Sequence, residues 1–270
     1  MRSFWLIADD FAQSAAIDRG ILELGQRGRL SGTSVMTTSP ALKEAAHSLS
    51  QLPAMARGLH FNLTHTFSSN DRRFSLPQVW WLSLSRQWDA GFLRSQWLQQ
   101  LQDFEQAFGH CPDFIDGHQH VHQLPVIRQV MLEVVQQRYG RLLPLRQTHP
   151  AIFRGGKAWI IDQLGGRCLP AAAAMNSDFA GVYDFVPEHF PSAMNNWLRT
   201  LRTGGLIMCH PGYYDSTDVL SHSRPNEREW LASAWFSERC QALDVVLLQR
   251  CDLVGQVDSR VSSAVGGTEV

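Results

Sequence analysis

At 270 residues the chain is long enough for one large α/β domain with a substantial core. Its formal net charge of -1, from 24 basic and 25 acidic side chains, announces neither the strongly basic surface of a nucleic-acid binder nor the acidic tail of a protein with a cationic partner, and leaves room only for a local basic patch. No apolar run reaches membrane-spanning length, and Asp9 and Asp10 interrupt the first apolar stretch too early for a signal peptide, so a soluble cytoplasmic protein with no membrane span is expected. The five cysteines are odd in number, scattered and without a C-x-x-C pair, which argues against a disulfide framework and against a thiolate zinc site.

In chain order, Phe4 to Ala8 reads as a short strand that ends in an acidic loop, Asp9-Asp10, followed by a helix carrying Ile17, Ile21 and Leu24 on a helical period. Thr33 to Thr37 and the helical face of Leu42, Ala45, Ala46 and Leu49 repeat the unit, and repeated strand-helix units imply a parallel sheet. Ala56 to Thr64 is a third strand, with His60 where its apolar run ends. From Phe67 to Trp88 the pattern breaks into polar residues and the aromatics Phe74, Trp80, Trp81 and Trp88, an irregular insertion or lid whose Trp80 and Trp81 could stack on a sugar. A helix follows over Gly91 to Phe108.

Phe114 and Ile115 then lead into Asp116-Gly117-His118-Gln119-His120-Val121-His122, read as a strand whose three histidines share one face at a catalytic rim. A helix over Pro125 to Tyr139 and a short strand over Leu142 to Leu145 deliver Arg146. Thr148 to Gly181 has no clear pattern. Val182 to Val186 reads as a strand, Phe190 to Leu201 as a helix, Leu206 to Cys209 as a buried strand delivering His210, and Arg228 to Leu243 as the last helix. One domain over residues 1-255 and a disordered tail over 256-270 are expected.

Four apolar runs thus end in residues that bind metals or move protons: Asp9-Asp10, His60, Asp116 with His118, and His210. In a parallel α/β barrel the C-terminal strand ends meet on one rim. Adjacent acids suit a site in which a metal takes one carboxylate while the other stays free to accept a proton, and one carboxylate with two imidazoles is a common catalytic ligand set.

Ala8-Asp9-Asp10-Phe11, Gly58 to Thr64, Asp116 to His122 and Cys209-His210-Pro211-Gly212 resemble, in order and spacing, the signature segments of the YdjC-like carbohydrate deacetylases. The resemblance runs from about Phe4 to Val254. It implies a distorted (β/α) barrel related to polysaccharide deacetylases, one divalent metal ion, and hydrolysis of an N-acetyl group on a small carbohydrate such as a chitooligosaccharide or a glycolipid-type substrate. Carried over, it makes Asp10, His60 and His118 the metal ligands and Asp9 the base. Two departures are Ala12 for the usual glycine after A-D-D-F, and D-G-H-Q-H-V-H for D-S-H-H-H-V-H.

Chemically, His210 on a separate strand is the candidate acid for the leaving amine, and Arg146 could orient Asp9 or bind substrate. His120 and His122 are assigned to outer-shell or substrate contacts, because one strand rarely supplies three ligands to a small ion. Two imidazoles favour Zn²⁺, whereas the resemblance points to Mg²⁺. A phosphoester or ring-amide hydrolase, and a non-catalytic sugar-binding protein, are the alternatives on the same barrel. A homo-oligomer is compatible with the sequence.

Overall fold

The computed structural model describes residues 1–68, 74–163 and 169–253. The expected tail therefore lies outside the described residues. Seven parallel strands, β1 (Arg2–Phe11), β2 (Gly32–Val35), β3 (Ala56–Phe61), β4 (Phe114–Gly117), β5 (Phe179–Ala180), β6 (Gly205–Cys209) and β7 (Val245–Leu247), form one sheet in the order β4-β3-β2-β1-β6-β5, with β7 on the first residues of β1. Leu145 bridges Ile115 on one side and Ala174 on the other, and Ala174 leads within five residues into β5. The ring of strands therefore closes into a distorted barrel, its weak side made of single bridges.

Period-2 alternation decides which side chains enter that barrel. On β1, Phe4, Leu6 and Ala8 pack outward in the core shared with the helices, whereas Trp5 and Ile7 face an inner cluster with Ala56, Phe114, Leu206 and Met208. Gly58 belongs to the inner face because a Cβ there would lie 2.2 Å from the Phe114 ring. The inner cluster is the barrel's floor, and the next inward residue on each strand is polar: Asp9, His60, Asp116 and His210.

The α-helices among the described residues are α1 (Ala15–Gln26), α2 (Leu42–Ser50), α3 (Leu76–Leu84), α4 (Ala90–Phe108), α5 (Ile127–Tyr139), α6 (Gly156–Ile161), α7 (Phe190–Thr200), α8 (Ser223–Ala232) and α9 (Ala234–Ala242). Local chemistry sets their ends. Ser14 caps α1 by accepting from the Ile17 N–H, Asp89 caps α4 through Gly91 and Phe92, and Gly109 and Gly140 close α4 and α5 in the left-handed conformation that glycine tolerates.

Several expected elements differ. The acids at 9 and 10 lie within β1, which runs on to Phe11. The irregular insertion contains α3, started by a Ser75–Gln78 capping box, and Trp88 is buried with its ring 4.9 Å from that of Phe74. Residues 142–145 contribute the two isolated bridges of Leu145 rather than a strand. Val182 to Val186 is not a strand: Gly181, at φ 118°, sits where a Cβ would strike the Met208 backbone, and Phe185 has φ 62°. The last helix begins earlier and breaks at Ser233, whose extended backbone separates α8 from α9 while its side chain caps the second.

Candidate active site

The site is the topmost inner layer of the barrel. Ala8 is in register with both Thr33 and Cys209, so the next residues along, Asp9, Ser34 and His210, come level, and His60 pairs in register with Asp116. Neighbouring residues of a strand should face opposite ways, yet Asp9 and Asp10 both reach this layer because Asp10 takes φ 69° and turns its side chain back to the rim.

Two carboxylate clusters result. In the first, Asp10 Oδ1 lies 2.9 Å from His118 Nδ1 and 3.3 Å from His60 Nε2. The candidate ligand atoms of Asp10, His60 and His118 all fall within 4.8 Å of one another. The other nitrogen of His60, Nδ1, donates to Asp116 Oδ1 at 2.6 Å, which fixes the ring and leaves Nε2 toward Asp10. One oxygen and two imidazole nitrogens converging on one point fit a divalent ion.

In the second cluster Asp9, His60 and Asp116 also come together, but Arg146 fills it. Its NH1 donates to Asp9 Oδ2 at 2.7 Å, and its NH2 lies 2.7 Å from both Asp9 Oδ1 and Asp116 Oδ2. The cation position there is occupied by a guanidinium. Arg146 is fully buried with its terminal nitrogens on these carboxylates, the contacts expected of a residue that orients Asp9.

These charges govern ionisation. Burial alone would raise the carboxyl of Asp9, but Arg146 outweighs it and holds the group well below its ordinary range; Arg224 and then His118 do the same for Asp10. His60, although desolvated, is pushed up to about 10 by Asp116 and Asp10. Burial pushes His210 down to about 4, so the ring rests neutral, with Nδ1 lacking a partner and Phe185 edge-on at 5.3 Å.

The triple-histidine stretch is not extended. The strand stops at Gly117, and Gln119 and His120 adopt φ 54° and 59° within a 3-10 turn over His118–Gln123, so the three rings part company. His118 faces Asp10. His120 is half-buried, edge-on to Phe179, with Nδ1 unpartnered. His122 is wholly buried, and its Nε2 donates to the Arg146 carbonyl at 3.0 Å, beneath the layer that holds Asp9 and Asp116. Trp80 packs on the helix-layer core and Trp81 is 59% exposed; among the described residues neither shares a hydrogen bond or ring contact with the assembled cluster.

The family model of the YdjC-like proteins matches residues 3–242. The chain belongs to the YdjC-like family. Chitooligosaccharide deacetylases are among the relatives of this YdjC-like chain: the one from Yersinia enterocolitica is 26% identical over 253 residues, covering 87% of this chain and 93% of the relative. That from Proteus mirabilis is 32% identical over 145 residues, 52% of this chain and 56% of the relative. A solved Enterococcus faecalis structure, provisionally named a cellobiose-phosphate cleavage protein, aligns with a TM-score of 0.73 at 21% identity over 93% of this chain and 98% of that one, a likeness of fold.

Three residues of the site in this YdjC-like chain escaped sequence reasoning. Ser34 donates to Asp116 Oδ2 at 2.6 Å. Arg224, on α8, donates to Asp10 Oδ2 at 2.7 Å and is itself paired with Asp218. Glu227, one turn on, accepts from the His210 backbone N–H at 2.6 Å and from the Tyr183 hydroxyl at 2.7 Å. The signal available was position: Arg224, Glu227 and Leu231 stand at i, i+3 and i+7, a core face that carries charge.

Proposed function

We propose that this YdjC-like chain removes an N-acetyl group from an acetylated amino sugar, of chitooligosaccharide or glycolipid type, by metal-assisted hydrolysis. The observation that carries the reading is the convergence of Asp10, His60 and His118 beside an ionised Asp9 on the same strand. Relatives named chitooligosaccharide deacetylases, one of them aligned over 87% of this chain, support the substrate class.

Asp10 Oδ1, His60 Nε2 and His118 Nδ1 would hold a divalent ion, Mg²⁺ or Zn²⁺, which when bound supplies polarisation of a water and of the acetyl carbonyl. Asp9 takes the proton of the attacking water. Arg146 keeps Asp9 ionised and correctly turned at the expense of basicity, which is tolerable because the water to be deprotonated is itself acidified. Attack on the acetyl carbon and collapse of the adduct break the carbon–nitrogen bond, and the amine leaves with the proton that Asp9 took from the water, relayed through His210. That ring, neutral at rest, has a free Nδ1 with which to accept and pass on a proton during the cycle.

The test is acetate release from a panel of N-acetylated sugars of one to five units by the metal-loaded protein. One acetate for each new free amine, abolished by a chelator and restored by the ion, is the expected result. No acetate from any acetylated sugar, with phosphate released from sugar phosphates instead, would contradict the reading.

A further inference from the structure

Arg224 is a buried cation of the site that the proposed reaction leaves without a task. Its guanidinium is 1% exposed, NH2 donates to Asp10 Oδ2 at 2.7 Å, and Nε pairs with Asp218. The two oxygens of Asp10 are thereby divided. Oδ1 faces His118 and His60, and Oδ2 belongs to Arg224.

The chain is thinned to let the arginine in. A Cβ on Gly212 would stand 3.1 Å from Arg224 Cδ and 3.2 Å from Ile17 Cα, and a Cβ on Gly20 would stand 2.7 Å from Gly212 Cα. The glycine of His210-Pro211-Gly212 thus makes room for the arginine stem against α1. A guanidinium spans two carboxylates with separate donors, which a lysine cannot do.

We infer that Arg224 is a positioning residue that confines Asp10 to coordination through Oδ1 alone, and so biases the site toward ions that accept a nitrogen-rich ligand set over ions that require oxygen. The inference rests on the reading of Asp10, His60 and His118 as the ligands. With Oδ2 withheld, the protein offers one oxygen and two imidazole nitrogens, a set that suits Zn²⁺ better than Mg²⁺. Freeing Oδ2 adds a hard oxygen donor at the same point. Loss of the arginine charge also strengthens binding of any cation, but by the same electrostatic factor for two divalent ions. The ratio of their dissociation constants therefore isolates the effect of geometry.

The experiment titrates metal-stripped wild type, Arg224→Gln and Arg224→Lys with Zn²⁺ and with Mg²⁺ by calorimetry, with His60→Ala as the control for the site and circular dichroism as the check on folding. Arg224→Gln is expected to lower the ratio Kd(Mg²⁺)/Kd(Zn²⁺) by about tenfold, as the second oxygen of Asp10 is returned to the site. Arg224→Lys, which keeps the charge and much of the stem but cannot span Asp10 and Asp218, should move the ratio the same way by less and serves alone if the glutamine variant does not fold. A ratio unchanged within about threefold in a folded variant, with one ion bound by wild type and lost in His60→Ala, overturns the role of Arg224 and leaves the ligand assignment standing. Binding that survives His60→Ala overturns the assignment and the inference with it.

Discussion

Ala12 shows how a single backbone angle links the sequence departure to the site. It stands where the family pattern has glycine, it is fully buried, and its φ is 72°, in the left-handed region that disfavours a Cβ. Its N–H donates to Asp18 Oδ1 at 2.6 Å, which holds the turn that follows Asp10. Ala12→Gly is therefore expected to stabilise the fold by about 0.5–1 kcal/mol, relief of the strain exceeding the entropy that glycine adds to the unfolded chain. Urea denaturation measures it, and a variant less stable than wild type would show that the turn is not strained. The division of labour at the rim is also a matter of single residues. Asp9→Asn and His210→Ala should each keep the ion yet lose about 10²–10⁴-fold on an amide substrate. On an activated ester, whose leaving group needs no proton, His210→Ala should recover much of its rate and Asp9→Asn little. Equal losses on both substrates in both variants would remove the acid role from His210.

Among the elements, α8 ties the site together, since Arg224 reaches Asp10 and Glu227 holds the backbone of His210 from the same helical face. It was also poorly legible, because the buried charges of Arg224 and Glu227 interrupt its apolar period. Burial pushes the Glu227 carboxyl up from its ordinary 4.5 to about 7. The folded chain thus holds this proton more tightly than the unfolded one. The stability tied to the neutral carboxyl is fully present below about pH 4.5 and is lost as pH rises through about 7, a change of about 3 kcal/mol. Glu227→Gln, which can still accept from His210 and donate to Tyr183, should lack that decline, so its stability relative to wild type should rise between pH 5 and 8 in denaturant titrations. Parallel pH profiles for the two proteins would show that Glu227 is ionised throughout. The other elements that sequence reasoning missed share a cause: the 3-10 turn after Gly117 depends on positive φ at Gln119 and His120, which alternation of histidines alone does not reveal.

Across the whole molecule, what was legible was the meeting of apolar runs with polar residues at strand ends. The inner ladders of β1, β3, β4 and β6 are apolar at the barrel floor and turn polar one step higher, and that step is readable in the sequence at Asp9, His60, Asp116 and His210. Two things were not readable. One is the partner of each charge, since Arg146 and Arg224 come to their carboxylates from 137 and 214 residues away. The other is the place of the aromatic segment, whose Trp80 and Trp88 pack into the core. No helix among the described residues is long and apolar enough to cross a membrane.

If hydrolysis depends on one divalent ion held by Asp10, His60 and His118, the rate must follow occupancy of that site. The most direct test is acetate release measured against ion occupancy, with the bound metal counted by elemental analysis in the same samples as the stripped protein is refilled. The expected result is a linear rise that saturates at one ion per chain, and neither ion nor acetate in His60→Ala. Acetate released at the full rate by ion-free wild type would contradict it.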